Sequence, residues 1–136
     1  MSGKYWQRVL SCFADGSQID PAKIKPVLVR VERGIFENEL FRFATTLWSV
    51  PVSRGFGRRL RYLVMDEYHG KLIGIFALGD PVYNLRARDQ HIGWSHVERS
   101  QRLVNIMDGY VIGSMPPYSA LLGGKLVTST AFNYFV

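Results

Sequence analysis

A single cysteine, Cys12, stands in 136 residues, so no internal disulfide can form and a disulfide-stapled scaffold is excluded. The three histidines, His69, His91 and His96, lack the spacing of metal ligands and stand apart from the cysteine, which argues against a zinc site. Neither a Gly-x-Ser-x-Gly elbow nor a phosphate-binding P-loop occurs. Long apolar runs are missing too. The longest, around Leu72–Gly79, falls far short of the roughly 20 residues that span a bilayer. The N-terminus lacks the apolar stretch of a signal peptide. These absences predict a soluble, cytoplasmic chain with no membrane partner. Acidic residues are absent between Glu39 and Asp66, so positive charge is concentrated there.

What is present is an ordinary globular balance, with 47% apolar and 21% charged residues. A chain of this length can bury roughly two-thirds of its unfolded surface, enough for a real core. The net charge of +6 suits nucleic acid, an anionic membrane surface or a phosphorylated ligand, and selects none of them.

Residues 1–34 read as a leader segment punctuated by Asp15-Gly16-Ser17, Asp20-Pro21 and Lys25-Pro26, with a short strand at Val27–Val31. Residues 35–136 read as a single α/β domain. Phe36, Leu40, Phe43, Ala44 and Leu47 recur at helical spacing and predict a helix over Phe36–Trp48, which Pro51 stops. Leu60–Asp66 and Lys71–Gly79 predict a hairpin. Residues 82–94 look irregular. Ser95 followed by Glu98 forms a capping box that starts a helix at His96, running to about Met107. Tyr110–Gly113 reads as a third core strand, and Ser119 as the cap of a last helix to about Ala131. The predicted fold is α/β (α+β): a small mixed sheet with an antiparallel hairpin, flanked by helices.

Four groups of residues bear on chemistry. A glycine turn between a strand and a helix offers free backbone N–H groups and the positive end of a helix dipole. Ser119, Gly123, Gly124 and Lys125 form such a pattern, suited to a pyrophosphate. In outline it resembles the acyl-CoA-binding turn of acetyltransferase (GNAT)-like folds, which carry Gln/Arg-x-x-Gly-x-Gly/Ala, and the strand–glycine–helix order leads to the expectation of an acetyltransferase (GNAT)-like core. The match is partial. With Gly123 first, Ala120 and Lys125 depart from the pattern; with Gly124 second, Ser119 and Leu122 depart. The alternative is that the two glycines only let a helix approach the sheet. Second, Arg54, Arg58, Arg59 and Arg61 would neutralise a nucleic-acid backbone, with Phe56 and Tyr62 stacking on bases; the alternative is a solvated basic loop. Third, Asn84, Arg86 and Arg88, beside Asp89, would form a ligand loop for an anion, or else an internal Arg–Asp pair. Fourth, Asp66 and Asp89 are the candidates for a catalytic base. Strand-end acids more often cap turns than bind a divalent cation, and no metal is expected.

The strings Trp48–Val64, Gly70–Asp89, Arg102–Val111 and Pro116–Val127 together resemble the DruA family of the Druantia anti-phage system. The resemblance runs from about Pro26 to the end. It implies a prokaryotic defence component working with other proteins of the system. Relatives of greater length imply a chain truncated at its C-terminus. The family supplies no catalytic residues to carry over. Two functional readings follow. One is an acyl-CoA-type group transferase acting on or near nucleic acid, with Gly123, Gly124 and Lys125 holding the cofactor. The other is a non-catalytic DNA-binding module carried by the arginine cluster.

Overall fold

The computed structural model describes residues 3–34, 36–52, 55–121 and 123–135. Its regular elements are α1 (Gly3–Ser11), β1 (Pro26–Arg30), α2 (Phe36–Thr46), β2 (Arg59–Asp66), β3 (Lys71–Gly79), α3 (Arg86–Ile92), α4 (His96–Arg102), β4 (Asp108–Ser114), α5 (Tyr118–Leu121) and α6 (Gly123–Phe135). The strands form one sheet in the order β1-β2-β3-β4.

β3 is one of the two inner strands of this sheet, and its near-continuous apolar run is what a strand covered on both faces requires. On one face Val9 of α1 and Leu40, Phe41 and Ala44 of α2 meet Leu63, Leu72, Ile75, Ala77 and Val111. On the other, Val127 and Ala131 of α6, with Tyr118, meet Tyr62, Val64, Ile73 and Phe76. Helices thus cover both faces of a four-stranded antiparallel sheet.

Two bulges adjust which face each residue serves. Val64 pairs with Gly74 and Met65 with Leu72, so Ile73 is an extra residue and the face parity of β3 switches there. Ala77 pairs with Val111 and Leu78 with Gly109, which makes Tyr110 the extra residue of β4. α6 sits so close to the sheet that a Cβ at Gly74 would lie 2.7 Å from Val127 Cγ2 and collide with the Gly113 carbonyl oxygen.

Several expectations are corrected. The sheet is wholly antiparallel rather than mixed. The connection carrying α3 and α4 leaves β3 at Gly79 and re-enters β4 at Asp108 opposite it, so the chain returns from the end at which it left. Residues 82–94 are not irregular, because they hold α3, ended by Gly93 in the left-handed region, whose N–H donates to the Asp89 carbonyl. The helix at His96 has the expected capping box but ends at Arg102, followed by a 3-10 turn over Leu103–Asn105. The last helical region is divided: Ser119 lies inside the single turn of α5 rather than capping a longer helix, and α6 begins at Gly123 with a φ of 58°. Residues 1–34, read as a leader, supply α1 and β1 to the same body. Val9 is 1% exposed, and β1 pairs with β2 from Pro26–Asp66 to Arg30–Tyr62.

Candidate functional site

The face of β2 that carries Leu63 into the core carries Arg61 and Arg59 toward the strand's beginning, two and four residues back, as the period of a strand dictates. There α2 no longer seals the sheet. A cleft of about 560 Å³ opens between Phe41, Arg42, Thr45 and Thr46 of α2, Arg61, and Tyr110. A second cleft of about 280 Å³ lies on the other side of Arg61, lined by Arg33, Asn38, Arg59 and Glu32 among others.

The two guanidiniums are held by aromatic faces rather than by carboxylates. Arg59 Cζ stands 4.2 Å from the centroid of Tyr110, the residue that the β4 bulge supplies, and Arg61 Cζ stands 5.6 Å from that of Phe41. Among the described residues neither makes an ion pair, and the Nε atoms of both are buried without a hydrogen-bond partner. The polar contact of Arg61 is a long 3.5 Å approach to Asn38 Oδ1. Arg42 is partly neutralised by Glu39 at 3.2 Å. The carbonyl end of α2 faces the same cleft and favours cations held there. Glu32 and Asn38 line the smaller cleft and Asp80 acts on Arg59 electrostatically, yet neither the Arg59 nor the Arg61 guanidinium makes an ion pair among the described residues, and such a guanidinium suits an anionic ligand.

The loop before β2 is shaped around these arginines. Its neighbour Arg58 is spent internally: its backbone N–H donates to Asp80 Oδ2 at 2.8 Å and its Nε to Asp80 Oδ1 at 2.6 Å. The Arg58 N–H, followed by its guanidinium, holds the Asp80 carboxyl below the usual carboxylate range. A Cβ at Gly57, whose φ is 85°, would collide with that carboxylate, and one at Gly55 would collide with the Arg59 guanidinium. Arg54 lies outside the described residues. Tyr62 is 5% exposed beneath the opposite face, so of the two expected stacking rings only Phe56 is accessible.

The two carboxylates expected as bases are both engaged. Asp66 is fully buried. Its Oδ1 accepts from the backbone N–H groups of Lys25 and Tyr68, and its Oδ2 meets His69 Nδ1 at 2.6 Å and the Tyr118 hydroxyl at 2.8 Å. Burial pushes this carboxyl's pKa up, but hydrogen bonds from Lys25, Tyr118 and His69 outweigh it and hold the pKa below the ordinary value. Burial, followed by the bond to Asp66, pushes the Tyr118 hydroxyl well up. His69 Nε2 in turn accepts the Asp20 N–H at 3.1 Å, which leaves the imidazole with no free nitrogen. Asp89 sits between Arg88, which donates twice to Oδ1, and Arg99, which donates to Oδ2 at 2.9 Å. The hydrogen bond from Arg99, ahead of that from Arg88, holds its carboxyl low. Arg88 also closes on the Val82 and Tyr83 carbonyls. Asn84 and Arg86 line a separate cleft of about 380 Å³ beside Trp94.

The glycine turn lies at the other end of the sheet. A Cβ at Gly123 or Gly124 would meet nothing within 4 Å, so the start of α6 is open, and Lys125 is exposed there. α5 intervenes between β4 and this tip, so no strand runs directly into the glycines. Ser119 uses its N–H on the Met115 carbonyl. The structure therefore does not bring Ser119, Gly123, Gly124 and Lys125 together with Arg59 and Arg61. Phe41, Arg42 and Tyr110 are the cleft residues that sequence reasoning passed over. Gly109, a glycine inside a strand, was the signal for the bulge that aims Tyr110. Among the described residues no helix is long and apolar enough to cross a membrane, and no group of three or more His, Cys, Asp or Glu could hold a metal ion.

Fold and cleft together define an antiparallel α/β domain with an arginine-lined cleft. Residues 2–133 match the family described as Druantia protein DruA, and the chain belongs to that family. It is similar to "Druantia protein DruA" of Escherichia coli (strain UMEA 4076-1), with 60% identity over 120 residues, 88% of this chain and 30% of the relative. The chain thus spans under a third of the length of that relative. No solved structure matches.

Proposed function

We propose that this chain is the nucleic-acid-handling domain of a DruA-type component of a Druantia anti-phage defence system, working with other proteins of that system. The observation that supports it most directly is the pair Arg59 and Arg61, two half-buried guanidiniums beside clefts, neither in an ion pair among the described residues. Such a pair suits phosphodiester oxygens, which accept from a guanidinium fork in two directions. Membership of the family supports the defence setting. The test is binding of labelled DNA and RNA at two salt concentrations. Affinity that falls steeply with salt, and falls less steeply in Arg59→Gln and Arg61→Gln, supports the reading. Salt-insensitive binding, or none, overturns it.

A second reading, group transfer from an acyl-CoA-type donor, is favoured by the open start of α6 at Gly123 and Gly124 with Lys125 beside it. In that reading Lys125→Glu abolishes a thermal shift given by acetyl-CoA. An unchanged shift removes Lys125 from it.

A further inference from the structure

Phe56 is 97% exposed at the tip of the loop before β2, the most exposed of the large apolar side chains among the described residues. A loop that placed it there by slackness would carry no argument, but this one is fastened. Gly55 and Gly57 both take positive φ, Asp80 holds Arg58 by backbone and side chain, and Arg58 Nη2 reaches the Ile106 carbonyl at 3.3 Å.

Beside the ring lies a cleft of about 420 Å³, walled by Phe56, Arg58, Pro81, Tyr83, Leu103 and Val104. That is within the roughly 300–1,000 Å³ of small-ligand sites. Its walls are mainly apolar, and its polar rim is fixed: the Tyr83 hydroxyl is 2.7 Å from Ser100 Oγ, and Arg99 stands 4.7 Å over the Tyr83 ring. Arg58 and Asp80 both line it, and Arg58 directly precedes Arg59, whose guanidinium makes no ion pair among the described residues but acts on Asp80 electrostatically.

Resting on the nucleic-acid reading above, we propose that the Phe56 ring and this cleft hold an unpaired nucleobase whose backbone phosphate lies at Arg59, so the ligand is a single strand rather than a duplex. A flat ring beside an apolar slot matches the face of a base, and neighbouring positive charge matches the phosphate attached to it. Bases inside a duplex present only their edges, and Phe56 has nothing to stack on there. A solely apolar protein partner would gain nothing from the guanidiniums next door.

The experiment uses the 136-residue chain, a fluorescein-labelled 12-nucleotide oligothymidylate and a 20-base-pair duplex, read by anisotropy. The expected result is tighter binding of the single strand, weakened by roughly tenfold or more in Phe56→Ala, with duplex affinity and salt slope unchanged. Phe56→Trp keeps the affinity, and its added indole fluorescence is quenched by the single strand. Equal loss on both ligands, or no loss on either, overturns the proposal while leaving salt-dependent binding in place. Wild-type chain that binds neither ligand overturns the underlying reading instead. Unchanged binding with altered self-association of Phe56→Ala in the ultracentrifuge assigns the ring to a protein contact and also overturns it.

Discussion

The Tyr118 hydroxyl donates a 2.8 Å hydrogen bond to Asp66 Oδ2, and both side chains are closed off from solvent. The bond joins the end of β2 to the turn after β4, elements with more than fifty residues between them in the chain. Removing the hydroxyl alone leaves the ring's packing intact and takes one of the donors from a buried carboxylate. Tyr118→Phe is expected to lose about 1–3 kcal/mol in urea unfolding, with the denaturant slope unchanged. A midpoint equal to wild type would mean that the other donors satisfy Asp66 without it.

The same carboxylate makes stability depend on acid. Its hydrogen bonds hold the folded pKa below the unfolded value of about 3.9. Its contribution is therefore fully present above that value and is lost as pH falls through the folded pKa. Melting temperature is expected to drop on the acid side of about pH 4, and Asp66→Asn to flatten part of that drop while lowering stability at neutral pH. Parallel wild-type and variant curves between pH 3 and 7 would assign the acid response to other groups, such as Asp80 and Asp89.

Close approach at the sheet centre gives a graded prediction. Gly74→Ala drives a methyl into the backbone of Gly113, which cannot turn aside, and is expected to cost about 3 kcal/mol or more. At Gly113 the methyl meets the outer ring atoms of Trp48 at 2.7 Å, a side chain able to shift, so Gly113→Ala costs less. Gly124→Ala enters open space inside a helix and is expected to raise stability by up to about 1 kcal/mol. Thermal or urea unfolding of the three variants gives the order.

For the cleft, Arg59→Gln and Arg61→Gln are each expected to reduce the slope of log affinity against log salt for DNA by about 1. Lys125→Gln, at the other end of the sheet, is expected to leave that slope alone. A slope lost with Lys125 and kept without Arg59 would move the interface to the start of α6.

Asp89→Asn separates Arg88 from Arg99, two guanidiniums that would then face each other without a carboxylate between them. Faster amide hydrogen exchange across residues 82–99, with β2 and β3 unaffected, is the expected outcome. Unchanged exchange would mean that the Val82 and Tyr83 carbonyls hold Arg88 by themselves.

Much of the frame was legible because local signals and burial agree there. Lys71–Gly79 reads as a strand since both faces of it are covered, and the Ser95–Glu98 capping box names its own helix start. α1 and α3 escaped notice because each is short and buries one residue, Val9 and Asp89; α1 does pair Tyr5 with Val9 and Trp6 with Leu10 at helical spacing, but over barely two turns, and α3 has no such pattern. The direction of β4 depends on where α3 and α4 leave the chain, a long-range outcome that no short window contains. The arginine cluster was visible as charge. Which of its members stay unpaired was not, because Asp80 follows Arg58 by 22 positions and could as well have met Arg59.

That choice by Asp80 separates form from use at the loop tip. The carboxylate grips Arg58 and demands glycine at position 57, so those three positions are tied to one another. Phe56 between the glycines is 97% exposed and makes none of these hydrogen bonds. Its exchange for another ring, or for none, is expected to leave folding unchanged, so the ligand preference proposed for this position is free to change while the rest of the domain stays as it is.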